Sequence, residues 1–131
     1  GMDLMGMSDK RVVIVFDFQH PVEKYLFYTP DLPKVEGKYR FFEAGNHFSD
    51  NLVVRYCKPD EVDEHLPLFT KYLQYYKDML NEHQPIGTDT TQYVDFDRYM
   101  IRLDPISGYL SSRFGKEESQ TLIKEFFFSY A

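Results

Sequence analysis

The sequence predicts an α+β fold, and three observations carry that prediction. Residues 11–19 contain Val12-Val13-Ile14-Val15-Phe16, bounded by Ser8-Asp9-Lys10 on one side and His20-Pro21 on the other, which is the signature of a strand. A second apolar run, at about 51–57, follows Phe48-Ser49-Asp50-Asn51. From Leu66 onwards the apolar residues fall at helical rather than alternating spacing. Strands gathered in the first half and helices in the second are the pattern of an α+β chain.

Each element has its own warrant. Asp3–Met7 can pair with residues 11–19 as a hairpin, with Ser8-Asp9-Lys10 as the turn. Val12 to Phe16 are apolar without alternation, so both faces of that strand call for cover. Pro21, Pro30, Pro33, Gly37 and Gly45 punctuate the next stretch, in which Tyr39–Glu43 reads as a short extended piece. Pro59-Asp60-Glu61 opens a helix, with proline in the first turn and acids at the positive end of the dipole. Pro67 lies deep enough to break or kink it. From Leu66 to Leu80 the residues Leu66, Phe69, Tyr72, Leu73, Tyr76, Met79 and Leu80 form a stripe, ended by Pro85-Ile86-Gly87. Thr88-Asp89-Thr90 can cap a helix reaching about Leu103, with Tyr93, Phe96, Met100 and Leu103 as its stripe. Asp104-Pro105 stops that helix, because a residue before proline avoids the α region. Ile106 to Phe114 is a short helix with Gly115 at C′, and Lys116 to Tyr130 a final one with Leu122, Ile123, Phe126 and Phe127 buried. No repeat or linker divides residues 1–131, which read as a single domain.

Composition narrows the function. A formal net charge of -6 over 131 residues argues against nucleic acid, and no basic run exceeds Lys10-Arg11. The same charge disfavours an acidic protein partner unless basic residues cluster locally. Cys57 is the single cysteine, so no intrachain disulfide forms, and a buried inert thiol in a reducing cytoplasm is the expectation. No leader is legible, and no apolar run approaches the ~20 residues of a membrane span. His20, His47, His65 and His83 have no metal-ligand spacing. Phosphate-binding glycine loops and Gly-x-Ser-x-Gly are absent. Asp95 and Asp97 stand at i, i+2 on a helix and point apart. The aromatic content is high, 12 Phe and 11 Tyr. Those rings either fill the core or line a slot for a flat conjugated ligand.

Several short segments resemble one family. They are Gly1-Met2-Asp3-Leu4, Asp17-Phe18-Gln19-His20-Pro21, Phe48-Ser49, Leu66-Pro67, Asp104-Pro105, Gly108-Tyr109-Leu110, Phe114-Gly115-Lys116 and Phe126-Phe127-Phe128. In order and spacing they are similar to the ferredoxin-dependent bilin reductases, and most of all to the phycoerythrobilin-forming and phytochromobilin-forming branches. The resemblance implies an antiparallel sheet sandwiched between helical layers, a truncated three-layer α/β/α fold with the bilin between sheet and C-terminal helices. It implies no bound metal or flavin: reduced ferredoxin passes single electrons to a linear tetrapyrrole, biliverdin or a dihydrobiliverdin, in phycobilin biosynthesis.

The resemblance also implies the site. Asp3 and Asp104 match the two aspartates that handle the bilin's protons, Asp3 at the central or outer pyrrole region and Asp104 at an outer vinyl or ring. Desolvation raises a carboxyl towards a pKa at which it can donate and retake protons. Arg55 is the candidate for binding a propionate. Members carry a substantial part before the Gly-x-Asp segment, so this chain matches only the C-terminal portion of the domain. An uncovered face of Val12–Phe16 and an open strand edge then predict a homodimer or higher oligomer. Set against catalysis stands a non-catalytic bilin-binding or oligomeric structural protein of the same stock.

Overall fold

A computed structural model describes residues 1–19, 28–45, 47–82 and 91–131. It divides into two compact units, Gly1–Ile86 and Gly87–Ala131.

The first unit is built on a three-stranded antiparallel sheet in the order β1-β2-β3, with β1 Met2–Ser8, β2 Arg11–Phe16 and β3 Val53–Cys57. The predicted hairpin is present. Met2 pairs with Phe16 and Ser8 with Arg11, a bulge lies between Gly6 and Ser8, and Asp9-Lys10 makes the turn. Register assigns the faces, since directly opposed residues point the same way. Asp3 and Met5 share one face with Val13, Val15, Val54 and Tyr56; Met2 and Leu4 share the other with Ile14, Phe16, Val53 and Arg55.

Both faces of β2 are covered, because Val13, Ile14, Val15 and Phe16 are all at most 2% exposed. The uncovered face expected of Val12–Phe16 is therefore corrected at those four positions. On the Ile14 face, helix α1 (Leu66–Glu82) supplies the cover: Ile14, Phe16, Phe18, Leu32, Val53 and Tyr72 form one core, with Leu68, Phe69, Tyr75 and Met79 packed on it. On the other face the chain after Val35 closes in. Glu36 bonds the outer edge of β3, its N–H to the Leu52 carbonyl at 2.9 Å and its carbonyl to the Val54 N–H at 2.6 Å. Gly37 follows at φ 77, where a Cβ would stand 2.1 Å from the Val54 carbonyl oxygen, so only glycine fits. Phe41, Phe42 and Phe48 are buried; Phe41 stacks on Phe42, and Phe48 packs against Phe42 at a tilt. Among the described residues β1 is the outer strand on its side of the sheet, and Met2, Leu4 and Met7 on it are exposed.

Three expectations need correcting here. Tyr39–Glu43 is a tight turn rather than an extended piece: Phe42 donates its N–H to the Tyr39 carbonyl at 3.0 Å, and Arg40 takes φ 51. The helix opened by Pro59 begins as a 3-10 segment, Pro59–His65, and becomes α-helical at Leu66, beside the expected break at Pro67. The Glu61 carboxylate caps its first turn by accepting from the Lys58 N–H at 2.9 Å. The α1 stripe is rotated from the expected one. Phe69, Tyr72 and Met79 face the sheet as expected, but Leu66, Leu73, Tyr76 and Leu80 are exposed.

The second unit holds α2 (Thr91–Leu103), α3 (Ile106–Phe114) and α4 (Lys116–Leu122). The caps expected at Thr88-Asp89-Thr90 and the stop at Pro85-Ile86-Gly87 lie outside the described residues. Gly115 ends α3 at φ 84 as expected. Asp95 and Asp97 diverge: Asp95 is exposed near Arg98, while buried Asp97 accepts the Tyr130 N–H at 2.7 Å. The last helix corrects another expectation. At Ile123–Phe127 it widens into a π turn, with the Phe128 N–H reaching the Ile123 carbonyl at 2.8 Å. The wider turn takes up an extra residue, so Phe128 is buried where Phe126 and Phe127 were expected, and those two are exposed.

Candidate functional site

Asp3 sits in the middle of β1, opposite Val15, with its side chain on the Val13–Val15 face. Strand pairing holds its backbone, since β1 is bonded to β2 along its length. An edge strand exposed at nearly every residue leaves Asp3 accessible from solvent.

Asp104 belongs to the second unit and ends α2, its N–H donating to the Met100 carbonyl at 2.8 Å. Pro105 forbids another helical turn, and the Asp104 carboxylate turns forward to accept the Ile106 N–H at 2.8 Å. It thereby satisfies one of the N–H groups left open at the start of α3. The side chain is half-buried. Asp104 is thus a hinge-point acceptor between two helices and, at the same time, a carboxylate with solvent access.

Arg55 lies on the opposite face of the sheet from Asp3, because it pairs with Ile14. Its guanidinium forks onto Glu36, Nε to Oε1 at 2.6 Å and Nη2 to Oε2 at 3.2 Å. That pair raises the arginine and lowers the glutamate from their ordinary values, through the hydrogen bond first. A propionate would have to displace Glu36 to reach Arg55, and it would then lie on the α1 side of the sheet. The structure does not bring Arg55 and Asp3 together.

Asp17 is the titrating group that sequence reasoning passed over, although it was in view as part of a motif. It follows β2 and is only 3% exposed. The Ser49 N–H reaches both its oxygens, at 3.1 and 3.2 Å, and the Ser49 hydroxyl donates to Oδ1 at 2.6 Å. Burial pushes the carboxyl up from 3.8 to about 6, against the downward pull of the Ser49 bonds and of the Gly1 ammonium. Gly1 and Asp17 exchange backbone hydrogen bonds at 2.6 and 3.1 Å, which places Asp17 one step beyond the β1–β2 register, on the parity of Val13 and Val15. The same sheet face thus carries Asp3 and Asp17 on adjacent strands, one exposed and one sealed.

A polar network supports this region. Ser49 Oγ accepts the Asn51 N–H at 3.0 Å; Asn51 accepts from Thr29 at 2.9 Å and donates to the Pro33 carbonyl at 3.1 Å. The Tyr72 hydroxyl donates to the Asn51 carbonyl, and burial holds that phenol well above its ordinary value. Cys57 is half-buried beside the core, and desolvation with Glu61, Glu64 and Asp60 nearby raises its thiol, which keeps it a poor nucleophile. Among the described residues no helix is long and apolar enough to cross a membrane.

No protein-family model matches the chain. Curated relatives do, and they agree with one another. A 15,16-dihydrobiliverdin:ferredoxin oxidoreductase of Gloeobacter violaceus is 30% identical over 153 residues, covering 100% of this chain and 62% of that protein. Proteins of the same description from Nostoc punctiforme and Prochlorococcus marinus are 28% and 29% identical over all of the chain. This chain is similar along its whole length to ferredoxin-dependent bilin reductases. It spans about three-fifths of the length of these reductases. The aligned span of 153 residues exceeds the 131 of this chain, so the Gloeobacter reductase carries residues there that this chain lacks.

Proposed function

We propose that this chain takes part in ferredoxin-dependent reduction of a linear tetrapyrrole, with 15,16-dihydrobiliverdin as the substrate and the cytoplasm as its compartment. The observation that carries the reading is similarity along the whole chain to proteins described by that one reaction. Each double bond reduced takes two electrons, delivered singly by two reduced ferredoxins, and two protons. Ferredoxin supplies the electrons, so the protein's task is to hold the bilin and deliver the protons.

In this proposal Asp3 and Asp104 are the proton donors. Asp3 offers an accessible carboxylate on a strand whose backbone is fixed by pairing. Asp104 has one oxygen engaged by the Ile106 N–H, which holds a half-buried carboxylate in place. A positioned acid of this kind contributes about 10²–10⁴-fold to a proton transfer. Arg55 is the weaker part of the proposal, because Glu36 already occupies its fork.

The test is anaerobic. The protein is mixed with 15,16-dihydrobiliverdin, its visible spectrum is recorded, and reduced ferredoxin is added. A shifted, protein-bound spectrum that evolves on reduction is the expected result. A free-bilin spectrum that stays unchanged would overturn the reading. Asp3→Asn and Asp104→Asn should each slow reduction more than they weaken binding.

A further inference from the structure

Among the described residues of this acidic chain, a group of cations gathers on the Asp3 face of the sheet. At the hairpin end of that face, the Arg11 guanidinium sits over the Tyr56 ring at 4.3 Å and Arg40 over the Tyr39 ring at 5.3 Å. The two rings meet edge to face, with centroids 6.5 Å apart, and the Tyr56 hydroxyl donates to the Lys38 carbonyl at 2.8 Å. Lys10 stands next to Arg11 in the hairpin turn. Four cations are thus gathered about two tyrosines, against Asp9 of the turn and Glu43, which pairs with Lys38 at 3.2 Å. Lys10, Arg11, Lys38, Arg40 and Tyr56 are all exposed. The acids at this end of the sheet, Asp60, Glu61 and Glu64, gather around Cys57, which pairs with Val12 and points to the opposite face. The positive field therefore belongs to one face.

We propose that this surface, made by Lys10, Arg11, Lys38, Tyr39, Arg40 and Tyr56, is where an acidic electron-carrier protein docks. The assignment rests on the proposed reaction, because that reaction needs such a carrier. Charge complementarity steers encounter and fixes orientation, and a local patch can do so against an unfavourable net charge. Arginines laid over tyrosine rings keep their charge outward while the rings hold them in place, which suits a surface for carboxylates. Position adds to this. Tyr56 lies two residues along β3 from Val54, and Asp3 lies two strands across from Val54. Strand spacings of ~3.4 Å per residue and ~4.8 Å per strand put their Cα atoms about 12 Å apart. A carrier seated on the tyrosines would hold its redox centre on the same side of the sheet as the proposed proton donor.

The experiment uses the full chain and an acidic [2Fe–2S] ferredoxin. Binding is measured by calorimetry at increasing ionic strength, for the unaltered protein, for R11E/R40E, and for K77E on the distant α1 helix. Carbodiimide cross-linking maps the contact on the unaltered protein, so the result does not depend on the variants folding. Expected are binding that weakens with salt, about tenfold weaker binding in R11E/R40E with little change in K77E, and cross-links at Lys10 and Lys38. Cross-links confined to Lys58, Lys71 or Lys77, or ferredoxin binding indifferent to R11E/R40E, would overturn the assignment. Preferential binding of single-stranded DNA at this patch would overturn it too. Bilin absorbance read in the same samples separates the two proposals. A bound bilin without patch-dependent docking removes this surface and leaves the reaction standing, whereas loss of both bilin and ferredoxin binding removes both.

Discussion

Replacing Asp17 by Asn should change not only how stable the protein is but how its stability depends on pH. The Asp17 carboxyl is 3% exposed and raised from 3.8 to about 6, burial being the largest cause. A folded-state pKa above the unfolded one means the folded protein binds the proton more tightly. The stabilisation is therefore fully present below about pH 4 and is lost as pH rises through about 6. At ~1.4 kcal/mol for each pH unit, the charged form at neutral pH costs on the order of 3 kcal/mol relative to the neutral acid. Asn mimics the neutral acid but sets an amide N–H₂ against the Ser49 N–H that Oδ2 accepted at 3.2 Å, a loss of about 1 kcal/mol. D17N should thus be more stable than the parent near pH 7, by roughly 1–2 kcal/mol, and less stable near pH 4, by about 1 kcal/mol. Urea unfolding of both proteins across this range, followed by circular dichroism, measures the difference. Other carboxylates cancel in it, and so does the Tyr72 phenol, which burial raises; the Gly1 ammonium beside Asp17, which burial lowers, is common to both proteins. A difference that stays constant from pH 4 to 7 would refute the buried-acid reasoning.

Four further outcomes are expected. Gly37→Ala puts a Cβ 2.1 Å from the Val54 carbonyl oxygen at φ 77, and thermal unfolding should register a loss of more than about 2 kcal/mol. Gly45→Ala, at φ 88 but with open space around it, should cost only about 1 kcal/mol, which separates strain from collision. Tyr72→Phe removes the hydroxyl bonded to the Asn51 carbonyl and should cost about 1–3 kcal/mol by chemical unfolding. Asp104→Ala should lose about 1 kcal/mol through the Ile106 N–H, while Asp104→Asn keeps that bond; a slow bilin reduction in both, with stability lost only in the first, would assign Asp104 to proton chemistry rather than to helix capping alone.

Much of the fold could be read from local signals. The β1–β2 hairpin was legible because Ser8-Asp9-Lys10 separates two strand-forming runs, and the end of α3 because Gly115 supplies a positive φ. Elements whose form depends on distant partners were not. Tyr39–Glu43 has strand-forming residues, but the Arg40 backbone is turned to φ 51. The α1 stripe was misread because apolar residues lie on two sides of that helix, and only packing on Ile14, Phe16 and Val53 selects Leu68, Phe69, Tyr72, Tyr75 and Met79. The burial of Phe128 depends on a π turn with no compositional mark. At the candidate site, Asp17 escaped notice because its partner Ser49 lies 32 residues away in sequence. Arg55 shows the limit of motif reasoning on strands: with a period of two, its face follows only from register with Ile14.

The place of β2 at the centre of the sheet bears on how the chain comes together in time. Its β1 neighbour arrives across a two-residue turn, but its β3 neighbour arrives only after residues 17–52 have been gathered, since Phe16 pairs with Val53. Local closure is fast, and the longer closure is slowed by chain entropy. During synthesis the Val-Ile-Val-Phe run therefore waits, half-paired and without α1 over it, for the most distant partners in its unit. That interval, rather than the finished protein with its covered β2, is when this chain is most exposed to chaperones and to association with other unfinished copies.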